Sequence, residues 1–221
     1  MGCWGITAFE SDEGLDALGC IRKYLPKDGK VKLEDIIDSL KKDSWNHQQD
    51  IKEGYTHTSP MMLAEVMVKF LDGETAELDF YGLCESKSVC FSGISSFTAD
   101  KQSIQYLQKY LSEHLKYKRQ MDDFGEKYGE KWGGFVKELD WIEWQGHMEF
   151  LIHRMNLLLA ATETSGELLD MQYSGEENLQ KQLAAVCEKE GHLWQEGNAD
   201  PENGTGDLEC GRCCETITLK W

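Results

Sequence analysis

The residues with the most definite chemistry stand near the C-terminal end, in the pattern Cys187-x4-His192-x17-Cys210-x2-Cys213. Thiolate sulfur and imidazole nitrogen are the donors that zinc takes in tetrahedral sites, and two closely spaced pairs can bring four of them to one ion. The Cys210/Cys213 pair suits a tight turn that points both sulfurs the same way. Cys214 follows at a position where such turns often carry glycine, whose backbone tolerates positive φ, so Cys214 stands as an alternative to Cys213 as fourth ligand. Four protein ligands leave no open position for water or substrate, and the expected Zn2+ is therefore structural rather than catalytic. The competing readings are free buried thiols beside an unrelated histidine, or disulfides. No basic segment precedes an apolar run, so neither a signal peptide nor a transmembrane span is expected. A cytoplasmic location follows as an expectation, and its reducing conditions would keep the thiols available for metal.

A second set of candidates is Asp140, Glu143 and His147, spaced i, i+3 and i+7 so that they share one helix face. Carboxylates beside a histidine can hold a metal or move protons. A solvated charged face is the more ordinary role for such a pattern. His147 and His153 are six residues apart and point to different sides, and there is no HExxH helix, phosphate-binding glycine loop or GxSxG nucleophile turn. His57, just before Thr58 and Ser59, reads as a loop or helix-cap residue. Cys84 and Cys90 lack a nearby partner pair and read as small apolar side chains.

The charge limits the partners. The chain of 221 residues carries 23 Lys and Arg against 40 Asp and Glu, a net charge of −17. Such a surface repels phosphate backbones and anionic membranes and favours a basic protein partner. From Cys187 to Trp221 only Lys189, Arg212 and Lys220 are basic, against eight acidic residues. Phosphate binding draws its affinity from Lys and Arg through counterion release, so nucleic acid is not an expected partner. The Met-Gly start does not continue as a myristoylation signal, because position six is Ile6 instead of Ser or Thr.

The elements that would position these residues are mostly helical. Ser11 or Asp12 caps a helix running to about Tyr24, with Leu15, Leu18, Ile21 and Leu25 on one side, ended by Pro26 and Gly29. Leu33 to Lys42 repeats the pattern. Trp45 to Tyr55 reads as a polar connection. Ser59 as N-cap and Pro60 at N1 start a helix closed by Gly73, apolar on most sides and therefore central. Residues 78–91 read as a hairpin or irregular loop. Thr98 or Asp100 opens a long helix with Ile104, Leu107, Leu111 and Leu115 inward. Glycines and aromatics between Phe124 and Phe135 mark a turn or a frayed helix, and Lys137 to Leu159 is a further helix with Trp141, Trp144, Met148, Leu151, Ile152 and Met155 on its apolar side. A linker over Thr162 to Gly175 includes a short docked piece at Leu168, Leu169 and Met171. Ser174 and Glu177 form a capping box that starts a last helix to Glu190, with Cys187 on its final turn.

The opening, through Met1, Gly2, Trp4, Gly5, Phe9, Asp12 and Leu18, resembles an uncharacterised family of bacterial proteins that begin Met-Gly-x-Trp-Gly. The resemblance covers the first quarter of the chain. It implies a small soluble bacterial protein and supplies no activity. The tail resembles zinc-ribbon ends through Cys187, His192, Trp194, Cys210, Arg212 and Cys213.

The expected architecture is mainly α: a helical domain over residues 1–170, then a capped helix and a small zinc-ribbon-like β module over 171–221. The expected function is a non-enzymatic interaction factor, of the kind that serves as an inhibitor, an immunity-type protein or a mobile-element accessory. One rival is a hydrolase-type enzyme built around Glu143 and His147; another is a nucleic-acid-linked regulator acting through the ribbon. A concave site with convergent polar groups is what would favour an enzyme.

Overall fold

The computed structural model describes residues 4–47, 51, 57–80, 90–128, 132–166, 168–171, 194–200, 205–210 and 216–220. Helices dominate, with six among the described residues. Helix α1 (Asp12–Lys23) begins where the Ser11 hydroxyl accepts the Gly14 N–H at 3.0 Å and donates to the Ala8 carbonyl. That one hydroxyl satisfies an orphan donor of α1 and ties the helix to a three-residue 3-10 turn at Ala8–Glu10. Helix α2 (Leu33–Lys42) buries Leu33, Ile36, Ile37 and Leu40, as its spacing requires, with acidic residues in its first turn and Lys41 and Lys42 in its last.

Helix α3 (Ser59–Asp72) is the centre of the molecule, with nearly every side chain buried. Its N-cap is Thr58, one residue before the expected Ser59, and Pro60 lies in its first turn. Gly73 ends it at φ 83°, the left-handed cap that glycine adopts without a Cβ clash. A single turn, α4 (Thr75–Leu78), follows. Helices α5 (Lys101–Tyr128) and α6 (Glu138–Ser165), 28 residues each, run antiparallel. Lys101 at the start of α5 pairs with Glu163 near the end of α6, and Arg119 pairs with Glu149.

Besides α6 running on to Ser165, past the expected start of the linker at Thr162, two features depart from the sequence expectations. First, the helical body contains a three-stranded sheet. Strand β1 (Lys30–Lys32) lies parallel to β2 (Ser96–Asp100), and β2 lies antiparallel to β3 (Leu168–Met171). The stretch at Thr98 is thus strand, and α5 opens at Lys101, where the Asp100 carboxylate accepts the Ser103 N–H at 2.6 Å. Alternation turns Val31, Phe97, Ala99, Leu169 and Met171 inward, and the Phe97 ring meets Phe70 of α3 at 5.5 Å. Three- to five-residue strands carry too few residues for a period-two pattern to stand out, which is why they read as helix start and linker. Second, Cys90 is disulfide-bonded, so it is not the inert thiol its isolation suggested.

Toward the C-terminus, β4 (Trp194–Asp200), β5 (Thr205–Cys210) and β6 (Thr216–Lys220) form a separate antiparallel sheet in the order β4-β5-β6. Cys187, His192 and Cys213 lie outside the described residues, as does the expected helix from Ser174 to Glu190; Cys210 is the last residue of β5. Among the described residues no helix is long and apolar enough to cross a membrane.

Candidate functional site: a cleft under the N-terminal loop

A cleft of roughly 430 Å³ opens beside the N-terminal loop. Residues 4–7 form one lip, with Glu13 of α1 and Thr58 and Met61 of α3 below them. Gly133 to Val136 and Asp140 form the other lip, and His114, Lys118 and Trp144 line the wall between. The volume lies within the range of small-molecule and side-chain pockets.

The first lip is held by Glu10. Its carboxylate accepts the N–H groups of Ile6 and Thr7 at 3.0 and 3.1 Å and the Thr7 hydroxyl at 3.0 Å. The Trp4 N–H donates to the Glu10 carbonyl at 2.9 Å. These bonds hold the Glu10 carboxyl below the usual carboxylate range. A Cβ at Gly5 would lie 2.1 Å from the Glu10 carboxyl carbon, so a larger residue there would displace this carboxylate. Trp4 is therefore fixed by its backbone and yet 60% exposed at the rim.

The second lip is strained. Trp132, Gly133 and Gly134 have φ of 59°, 58° and 93° in succession. Left-handed backbone is costly for a bulky residue such as Trp132 and persists only where neighbours over-determine it. The neighbours are visible: the Gly133 Cα sits against the Trp141 ring, and Lys118 Nζ donates to the Gly133 carbonyl at 3.2 Å. Phe135, Trp141 and Trp144 pack as one aromatic group, with Trp141 and Trp144 stacked at 5.4 Å.

His114 forms part of the wall. It is 7% exposed, lies edge-on to Tyr110 and Trp144, and its Nδ1 has no hydrogen-bond partner. Burial, aided by Lys118 one turn on, pushes its pKa down to about 3, so the ring is neutral at physiological pH. Its position was legible as the buried stripe of α5, since it stands three residues after Leu111; its chemistry was not.

No protein-family model, curated protein or solved structure matches the chain.

The structure separates the expected carboxylate–histidine set. Asp140 lines the cleft, while Glu143 is exposed. His147 Nε2 lies 2.7 Å from the carboxylate of Glu65, a residue of α3 that the sequence reading passed over. Glu65 is 4% exposed and also accepts the Ala8 N–H at 2.9 Å. The triangle of Ala8, Glu65 and His147 joins the N-terminal turn, α3 and α6. A lone glutamate in a helix that is apolar all round was the available signal, because a buried carboxylate requires a partner. His57 has the expected cap role: its Nδ1 receives the Ser59 N–H at 3.1 Å, and the Ser59 hydroxyl donates to the Asn46 carbonyl at 2.9 Å. Thr58 is likewise engaged, its hydroxyl donating to Glu13 at 2.8 Å.

Proposed function

We propose that the chain is a non-enzymatic interaction protein whose partner is basic, and that the cleft under residues 4–7 is where the partner is held. The observation that carries this reading is Trp4, exposed at the rim although its loop is fixed by four hydrogen bonds through Glu10. Exposing a large ring on a pre-ordered backbone forgoes its burial and gives an anchor that costs little entropy to immobilise on binding. The charges fit a basic partner: Glu13 and Asp140 line the cleft against Lys118, on a chain of net charge −17. The hydroxyls of Ser11, Ser59, Thr7 and Thr58 all donate to structural acceptors, so the neutral His114 ring has none of them as a partner to activate.

The test is titration of the protein with matched basic, neutral and acidic peptides at low and high salt. Basic peptides should bind at low salt, perturb residues 4–7, and weaken steeply as salt rises, because exposed charges are screened beyond ~8 Å at physiological ionic strength. Binding of neutral or acidic peptides alone, or binding indifferent to salt, refutes the reading.

The zinc assignment belongs to the same proposal as a structural element of the tail. Support comes from the chain's course through the second sheet. Trp194, at the start of β4, pairs with Cys210, at the end of β5, and β6 begins at Thr216 beside Glu209. In the sequence His192 precedes Trp194 by two residues, and Cys213 stands between Cys210 and Thr216. The donors that would hold Zn2+ are Cys187, His192, Cys210 and Cys213, and its role would be to close the end of a small sheet.

A further inference from the structure

We propose that the group the cleft accepts is a guanidinium, that is, an arginine side chain of the basic partner. This rests on the interaction reading above and names the chemistry of its central contact. Three observations converge on it.

The first is the shape of the donors and acceptors. The acceptors in the lining are the carboxylates of Asp140 and of Glu13, which also accepts the Thr58 hydroxyl, and beside them stands the imidazole of His114. A neutral imidazole presents one lone pair. A guanidinium carries five N–H donors and no acceptor, so it can serve the carboxylates and the ring together, and it selects the tautomer that turns the lone pair to it.

The second is the ring system. Trp4 at the rim is 60% exposed, and Phe135 on the second lip is half-buried, so both offer aromatic surface to the cleft. A planar, weakly hydrated guanidinium stacks on such faces, whereas an ammonium is a strongly hydrated point charge that gains less from them.

The third is charge. Lys118 is the cation of the lining, and its Nζ is turned to the Gly133 carbonyl at 3.2 Å. Against it stand two carboxylates, and His114 adds no positive charge at physiological pH because burial keeps it neutral. A cation therefore enters a cleft with a net negative lining.

The experiment uses three peptides identical but for one central residue: arginine, lysine or the uncharged isostere citrulline. Affinity is measured calorimetrically, and the His114 ring nitrogens are followed by 15N NMR. The arginine peptide should bind about tenfold more tightly than the lysine peptide and more tightly still than the citrulline peptide. Only the arginine peptide should shift the His114 ring nitrogens strongly. Trp4→Ala and Asp140→Asn should each weaken the arginine peptide about tenfold and narrow its lead over lysine. Equal affinity for arginine and lysine peptides, or arginine binding that is unchanged in both variants, overturns the guanidinium assignment while leaving a basic partner in place. If no basic peptide binds at low salt, the interaction reading itself fails.

Discussion

Removing the carboxylate of Glu65 is the sharpest perturbation the structure offers. Glu65 is 4% exposed and accepts from the Ala8 N–H, at 2.9 Å to one oxygen and 3.1 Å to the other, while His147 Nε2 lies 2.7 Å away. Glu65→Ala leaves both groups without their acceptor. Breaking a buried, hydrogen-bonded pair from one side costs ~3–5 kcal/mol. For a protein of this size each kcal/mol lowers Tm by about 2–4 °C, so the melting point should fall by roughly 6–20 °C. His147→Ala leaves Glu65 one of its partners, and the loss should be nearer ~1.5–3 kcal/mol, the value of a hydrogen bond to a charged group. Glu65→Gln keeps an oxygen for the Ala8 N–H and should be milder than Glu65→Ala. The double variant should cost less than the two single losses together, with a coupling of about 0.5–3 kcal/mol. Urea unfolding followed by far-UV circular dichroism measures all four proteins. Amide exchange over residues 5–11 should quicken in Glu65→Ala, because the N-terminal turn loses its anchor to α3. A Glu65→Ala protein within about 0.5 kcal/mol of wild type, the size of an ordinary surface substitution, would refute the reasoning. So would strict additivity of Glu65→Ala and His147→Ala.

Three further outcomes follow from the same structure. His114 has its pKa lowered from 6.5 to about 3, so below pH 6.5 the unfolded chain takes up a proton that the folded chain refuses. Stability should then fall as pH drops from 7 to 5, by about 2 kcal/mol from this ring, with His57, also pushed down by burial, adding to the loss; an NMR titration showing His114 protonating near pH 6 contradicts this. Gly133→Ala forces a side chain onto φ 58° and brings its Cβ to 2.6 Å from the Trp141 ring, so it should destabilise by ~1–3 kcal/mol and disturb Trp fluorescence; an unchanged urea midpoint counts against the packed lip. Purified protein should carry one zinc per chain, and alanine at Cys187, His192, Cys210 or Cys213 should release it while the helical circular dichroism persists; Cys214→Ala should retain it, and loss from Cys214→Ala with retention in Cys213→Ala moves the fourth ligand one residue on.

The sequence by itself determined α1, α2 and α3. Ser11 before an apolar stripe, Gly73 after one and the lysines ending α2 are local signals, and a helix satisfies its backbone hydrogen bonds within its own segment. α2 consequently stands at the expected residues, and α1 and α3 are within about two residues of theirs. The sequence also determined that α3 is central, because it has no polar face to present to water. The tertiary structure alone decided the mixed sheet. β1, β2 and β3 are short, and each acquires its hydrogen bonds from a segment some 65 or 70 residues away, a pairing that no local pattern encodes. It also decided the cleft. Trp4, His114 and Asp140 belong to three distant stretches, and nothing local marks them as one site. Their meaning changes only when the Glu10-held loop and the Trp132–Gly134 turn bring them to one cavity. His147 makes the same point in reverse: its spacing from Glu143 suggested a shared face, but a buried carboxylate across the core outweighs an exposed neighbour on the same helix.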